Sequence, residues 1–435
     1  MTNRSRVLGR ARAALLLVAL GGCVRESESP TVVEFWAMGR EGEVVRGMVP
    51  EFERRTPGVR VRVQQVPWSA AHEKLLTAYV GDAMPDVFQV GNTWLPEFVA
   101  LGALEPLDAR MAASAAVRSA DYFPGILDPN VIDGQTYGVP WYVDTRVLFY
   151  RTDLLREAGW SNPPTTWEGW LEAMTGIARR VADGRYALLL PLTEWQMPVI
   201  LALQRGARLL RDDDRYGNFE SAEFRGAFAF YLDFFARGLA PHAGEAQVAN
   251  LYQDFAAGYF AIFVSGPWSL GECGRRVPPA MADMWSTAPM PGPDAREPGV
   301  SLAGGASLAI LRKSPHRDAA WRWIEYLSAP ERQLELYRLT GDLPARRAAW
   351  DDAALRDDPR AQAFRAQLQA VRSTPKIPEW ERIASKVGDY AEAAVHGRLD
   401  LDAALAALDR DVDAILAKRR WMIRRRQRLA ERVGS

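Results

Sequence analysis

Cysteine is nearly missing from these 435 residues: there are two, Cys23 and Cys273. One of them falls in an N-terminal segment of a different kind, so the remaining chain carries a single thiol and cannot form an internal disulfide. Cys273 reads as a small buried hydrophobe rather than a reactive site. Histidine is scarce as well. His72, His242, His316 and His396 are scattered without metal-ligand spacing. There is no G-x-S-x-G, no Walker loop and no G-x-G-x-x-G. This weakens the case for a hydrolase or a metalloenzyme and suggests neither a metal nor a cofactor. A catalytic carboxylate pair stays open, because such pairs have no local spacing. Net charge is zero, with 54 basic and 54 acidic residues, which gives no reason to expect a nucleic-acid partner. No run approaches the roughly 20 apolar residues of a membrane-spanning helix, and no internal repeat is visible.

What is present begins with an export signal. Arg4, Arg6, Arg10 and Arg12 form a positive start, Ala13 to Leu20 is apolar, and Leu20-Gly21-Gly22-Cys23 closes the segment with small residues. The last four resemble the lipobox of bacterial lipoproteins, which implies cleavage after residue 22 and lipidation of Cys23. The expected localisation is therefore exported, periplasmic or at the cell surface, and membrane-anchored. Removing residues 1–22 leaves 50 basic against 54 acidic residues, a net charge near −4. Residues 24–30, VRESESP, are short, polar and Pro-ended, as suits a flexible tether. Without disulfides the mature chain must rely on a large core, and its length permits two or more domains.

Residues 32–37 form an apolar, β-branched and aromatic run that reads as a strand. Val44, Val45, Met48 and Phe52 recur at helical spacing until Thr56-Pro57-Gly58. Val59 to Gln64 alternates with period two, Leu75, Leu76, Tyr79 and Val80 mark another helix, and Asp86 to Val90 is a third strand. Strand, helix, strand, helix, strand predicts a mostly parallel α/β sheet. Further on, Tyr137 to Tyr150 is strand-like. Thr165 with Glu168 reads as a capping box, and so does Ser328 with Glu331. Ser301 to Leu311 reads as one Gly-containing strand, Ser314-Pro315 as a helix start, and Met290 to Gly299 as a linker. Residues 351–413 are helical and Ala-rich, and Lys418 to Arg432 is a basic tail around Trp421 and Ile423.

Tryptophan is abundant, with 15 in the chain. Trp36, Trp68, Trp94, Trp141 and Trp268 sit where predicted strands give way to loops, and open α/β sheets bind ligands at that end. A sugar offers an apolar C–H face and a rim of hydroxyls. It suits an aromatic plane with polar side chains beside it. Glu41, Asn92, Thr93, Asp144 and Arg346 are the polar candidates on those loops. Trp167, Trp170, Trp321 and Trp323 lie in helices and read as packing. Gly304-Gly305 fits either a bulge or a close backbone approach to ligand. Tyr142 fits core or site, and Arg346 fits site or surface ion pair.

Four segments carry a resemblance: residues 32–68, residues 75–108, residues 137–170, and FAAGYFAIFVSGPW followed by SLAGGASLAI and GDLPAR. In order and spacing they resemble the family 1 extracellular solute-binding proteins, which include maltose- and trehalose-binding components of ABC importers. The resemblance implies an α/β fold of the periplasmic-binding-protein type II kind, with two lobes joined by a multi-strand hinge around a ligand cleft. It implies lobes of residues 31–142 plus 301–343 and of residues 143–300 plus 344–416, with a basic tail from 417. Crossings are expected near Tyr142–Asp144, Val300–Ala303 and Leu343–Arg346. The ligand residues it implies are Trp36, Glu41, Asn92, Asp144, Trp268, Gly304, Gly305 and Arg346, to which Trp68, Thr93 and Tyr142 are added from the strand-end reading. Asn92 departs from the acid or His that many relatives carry. The partners implied are a sugar and the permease subunits of an ABC transporter, with the chain a monomer and not an enzyme. Another polar solute such as glycerol phosphate, or glycosidase activity, are the competing readings.

Overall fold

The computed structural model describes residues 29–181, 184–192, 194–244, 250–295 and 299–433, with side chains in the last helix described as far as Arg428. Cys23, the export signal and most of the tether lie outside the described residues.

Eleven strands build the part of the fold that positions the site. They are β1 (Thr31–Met38), β2 (Val59–Val66), β3 (Val87–Gly91), β4 (Val139–Asp144), β5 (Val147–Arg151) and β6 (Tyr186–Leu189), then β7 (Phe260–Ser265), β8 (Trp285–Ala288), β9 (Ser301–Leu302), β10 (Gly304–Ile310) and β11 (Val371–Arg372). The first sheet has the order β2-β1-β3-β10-β4, and the second has the order β8-β5-β7-β6. Strands β9 and β11 pair in parallel as a short ribbon of their own.

In the first sheet β1 runs parallel to β2 and β3. The predicted alternation in β2 is seen: Val59 and Val61 are buried while Arg60 and Arg62 are exposed. Strand β10 is antiparallel to both β3 and β4, so the sheet is mixed rather than mostly parallel. The stretch 137–150 is two strands, β4 in the first sheet and β5 in the second, with the chain passing between sheets at Thr145-Arg146. Likewise 301–311 divides at Ala303 into β9 and β10. The strands flanking each crossing are mostly buried, so neither shows the period-two contrast that would mark where one strand ends and the next begins.

Three helix starts differ from expectation. Thr166, not Thr165, caps the helix Trp167–Ala178, accepting from the Gly169 N–H. Ser314 donates to buried Asp86 and accepts from the His316 N–H, so the helix begins at Arg317. Ser328 closes that helix instead of opening the next, which starts at Pro330. Gly341, at φ 95°, ends the latter in the left-handed conformation that glycine adopts readily.

The expected crossing at Leu343–Arg346 does not occur there. Leu343 O accepts from Val143 N, Pro344 bridges Tyr142, Arg346 bridges Tyr122, and Trp350 packs edge-on against Phe123. Residues 344–350 therefore stay with the first sheet, held by that aromatic contact. The helix Pro359–Gln367 is the first to pack on β8 of the second. The first core centres on Trp323, which meets Phe35 at 5.9 Å and Phe52 at 4.9 Å between ring centroids. Cys273 is buried, and burial pushes its thiol up to about 12, consistent with an inert packing residue.

The basic tail is a helix, Ala417–Val433. Its first turn is fastened to the body: Arg419 donates to Asp214 O at 3.1 Å and Arg420 to Arg215 O at 2.9 Å.

Candidate functional site

Between the two sheets lies a cavity of about 530 Å³. It opens at the carboxyl ends of β1 and β3, the position where an open α/β sheet leaves a crevice. Arg40 and Glu41 enter it from the short helix Gly39–Val44 that follows β1, Trp68 from the start of the helix Trp68–Val80 after β2, and Asn92, Thr93 and Trp94 from the end of β3. Tyr142 and Asp144 come from β4, and Gly304 and Gly305 from the start of β10. Across the cavity stand Arg146, Trp195, Gln196, Trp268 and Glu272, with Leu302, Ala303, Thr374, Asp342 and Glu381 completing the wall. Four indoles thus face the space, two from each side.

The aromatic pieces are held by glycines. Gly39 has φ 50°, and a Cβ there would sit 2.7 Å from Trp68 Cδ1. The turn and the indole both require glycine. Trp68 is 37% exposed and packs edge-on to Trp94 at 5.7 Å. Opposite, the indole of Trp268 lies against Gly266 so closely that any Cβ would penetrate the ring. The guanidinium of Arg146 sits 4.6 Å from the Trp268 ring centroid. Ser301 fixes the backbone of Arg146, donating to its carbonyl at 2.8 Å and accepting from its N–H at 3.1 Å.

The polar floor is a relay. Tyr142 Oη donates to Glu41 Oε1 at 2.6 Å, Gln89 Nε2 donates to Tyr142 Oη at 2.9 Å, and Gln89 Oε1 accepts from Met38 N at 2.7 Å. Burial raises the Glu41 carboxyl above its usual range, and the Tyr142 bond partly offsets this. Asp342 is raised further, first by burial and then by the neighbouring charges of Glu41 and Asp144. Two buried polar atoms on the wall, Asp144 Oδ1 and Asn92 Nδ2, have no hydrogen-bond partner in the protein. The cavity carries five carboxyl groups against two guanidiniums, an acidic balance.

Because Asp342 holds its proton more tightly folded than unfolded, its contribution to stability is complete below about pH 4, the unfolded range, and is lost as pH rises toward its folded pKa. Asp342→Asn is therefore expected to leave the melting temperature unchanged near pH 4 and to raise it by about 2–4 °C at pH 7.5, for a gain on the order of 1 kcal/mol. Thermal unfolding at the two pH values checks this, and equal shifts at both would refute it.

Nine of the expected ligand residues line the cavity together: Glu41, Trp68, Asn92, Thr93, Tyr142, Asp144, Trp268, Gly304 and Gly305. The glycine pair also serves the sheet, since a Cβ on Gly304 would lie 2.5 Å from Asp144 O. Two expected residues are elsewhere. Trp36 is inside β1, which runs two residues beyond it, and its ring packs under Lys74 at 4.7 Å. Arg346 is buried, pairs with Asp121 at 3.0 Å and donates to Ser328 O. It is structural. Arg40, Arg146 and Asp342 lie within four residues of expected site positions, and their sequence neighbourhood is the signal that could point to them. Trp195, Gln196, Glu272 and Glu381 carry no local signal.

A family model described as bacterial extracellular solute-binding protein matches residues 38–334. The sugar-binding protein MalE of Xanthomonas citri is 50% identical, superposes with a TM-score of 0.86, and matches 91% of this chain and 99% of its own. The diacetylchitobiose-binding protein DasA of Streptomyces coelicolor is 26% identical over 363 residues, 82% of this chain and 83% of its own length. The galactooligosaccharide-binding protein of Bacillus subtilis is 22% identical over 409 residues, 91% and 93% of the two lengths. Among the described residues no helix is long and apolar enough to cross a membrane. With the model matching well over half of its length and the mixed two-sheet architecture shared with MalE, the chain belongs to the bacterial extracellular solute-binding protein family.

Proposed function

We propose that this protein captures a neutral sugar, a disaccharide or short oligosaccharide, by closure of two lobes and delivers it unchanged to the permease of an ABC importer. The observation that carries the reading is the cavity itself: indoles on facing walls, with unpartnered Asp144 Oδ1 and Asn92 Nδ2 between them. Flat aromatic faces match the C–H face of a pyranose, and buried acceptors and donors match its hydroxyls. The names of the relatives support the same solute class. The acidic balance favours a neutral polyol over a phosphate, which would call for convergent cations.

The first lobe in this proposal comprises residues 31–144 with 304–352, and the second residues 147–300 with 353–416, so closure bends the connections at Thr145-Arg146, Ala303 and Asp352. Cys23 carries the lipid anchor, residues 24–30 form the tether, and the protein works as a monomer outside the cytoplasm. A closed form is selected because only then do both walls touch the ligand.

The test is a titration of residues 24–435 with gluco-, manno- and galacto-configured sugars, followed by tryptophan fluorescence. At least one is expected to saturate with a dissociation constant at or below about 100 μM, roughly 5.5 kcal/mol of binding, and to be recovered intact after long incubation. No response across the set would overturn the sugar assignment, and hydrolysed product would overturn the claim of capture without conversion.

A further inference from the structure

We propose that the C-terminal helix Ala417–Val433 is a docking element for an anionic lipid surface. Its composition is lopsided: Lys418, Arg419, Arg420, Arg424, Arg425, Arg426, Arg428 and Arg432 stand against one acid, Glu431. The remainder of the mature chain, residues 23–416, has 42 basic and 53 acidic residues, a net charge near −11. Among the described residues the hydrogen bonds joining the helix to that acidic body come from its first turn, at Arg419 and Arg420. From Trp421 to Arg428 every residue but Ile423 is exposed.

Two features of this helix call for an external partner. Arg420, Arg424, Arg428 and Arg432 repeat at i, i+4, a row of like charges that opposes helix formation in water and is relieved by an anionic surface. Little burial compensates, since among the described side chains from Trp421 onward Ile423 alone is partly withdrawn from solvent and core packing is slight. At about 100° per residue, Arg424, Arg425 and Arg428 fall on the same side as Trp421, within about 100° of one another. Trp421 is 48% exposed, with the Arg425 guanidinium 5.3 Å from its ring centroid, and Met422 beside it is 36% exposed. An indole ringed by guanidiniums suits a lipid headgroup layer, where the ring enters the interface and the cations meet phosphates. A nucleic acid would satisfy the charges but not the apolar residues. The negative body is repelled by the same surface, so attraction is confined to this helix.

The experiment is co-sedimentation of residues 24–435, without the N-terminal lipid, with vesicles of phosphatidylcholine alone or with about one-third phosphatidylglycerol. Partition onto the anionic vesicles is expected to be at least about tenfold higher and to vanish near 0.5 M salt, where screening is short-ranged. The triple variant Arg424→Gln, Arg425→Gln, Arg428→Gln is expected to lose the preference with unchanged thermal unfolding, because these side chains are exposed. Equal binding to both vesicle types, undiminished binding by the triple variant, or binding to a DNA duplex without vesicle binding would each overturn the proposal. Sugar titration of the triple variant separates the two readings, since this helix lies outside the cavity and its loss leaves affinity unchanged.

Discussion

Trp268→Ala is expected to weaken sugar binding by about 30-fold or more, a cost of roughly 2 kcal/mol or above, as for a central aromatic anchor. The indole is the platform of the second wall. It is fixed from behind by Gly266 and covered on one side by Arg146, so its position does not have to be ordered when ligand arrives. Truncation removes the platform and leaves the Arg146 guanidinium without its ring. Isothermal titration with the best sugar from the screen measures the effect. Trp268 is only partly buried, so melting is expected to change little, and the two readouts separate binding from folding. An affinity within about twofold of the parent would remove Trp268 from the site.

Gly271→Ala is expected to act on closure instead of contact, weakening binding by about 10- to 100-fold. Gly271 lies in the helix Trp268–Arg276, which follows β7 of the second sheet, where alanine would ordinarily stabilise the helix by about 1 kcal/mol. Here its backbone meets the first lobe at the end of helix Pro330–Thr340. A Cβ on Gly271 would overlap the carbonyl oxygen of Thr340, and one on Gly341 would lie 2.6 Å from Gly271 N. Neither backbone is a flexible group that can step aside. Overpacking of this kind costs about 1–3 kcal/mol, and the expected effect on binding follows if lobe closure is what brings these two backbones together. Small-angle scattering with saturating sugar should show the variant remaining more extended than the parent. A variant that closes and binds normally would place this contact outside the conformational change.

How much of this was legible in the sequence depended on the range of the signal. Period-two alternation in Val59–Val66 marks a strand because its two faces differ. The buried strands β4 and β5 have no such contrast, which hides the passage between sheets at Thr145-Arg146. Cavity-lining residues on strand ends are legible because topology puts those ends at the cleft: Asn92 and Thr93 after β3, Asp144 at the end of β4, Trp268 after β7. Trp36 failed by two residues, since only hydrogen bonding with β2 determines that β1 reaches Met38. Arg346 lies away from the cavity because its partner, Asp121, is far away in sequence and draws it into the fold. Trp195 and Glu381 enter the cleft by packing of the second lobe's helices, and no local pattern announces that. The helix caps depart from the sequence pattern for one reason: Ser314 and Ser328 are competent to cap, but tertiary structure gives Ser314 to Asp86 and puts Ser328 at a helix end.

The insertion of β10 between β3 and β4 has a consequence for the order in which the molecule can assemble. The second sheet is complete once residue 288 is available, since all four of its strands lie between residues 147 and 288. The first sheet begins earlier in the chain yet must wait for residues 304–310, and its core must wait for Trp323. More than two hundred residues separate Gly91 from its neighbour Ala306, an interval of roughly 10–40 s at ordinary rates of chain synthesis. Throughout it the edge of β3 has no partner, and long-range closure of this kind is slow. The sheet encoded first is therefore the one closed last, and a chain halted near residue 300 would hold all four strands of the second sheet beside an open-edged first.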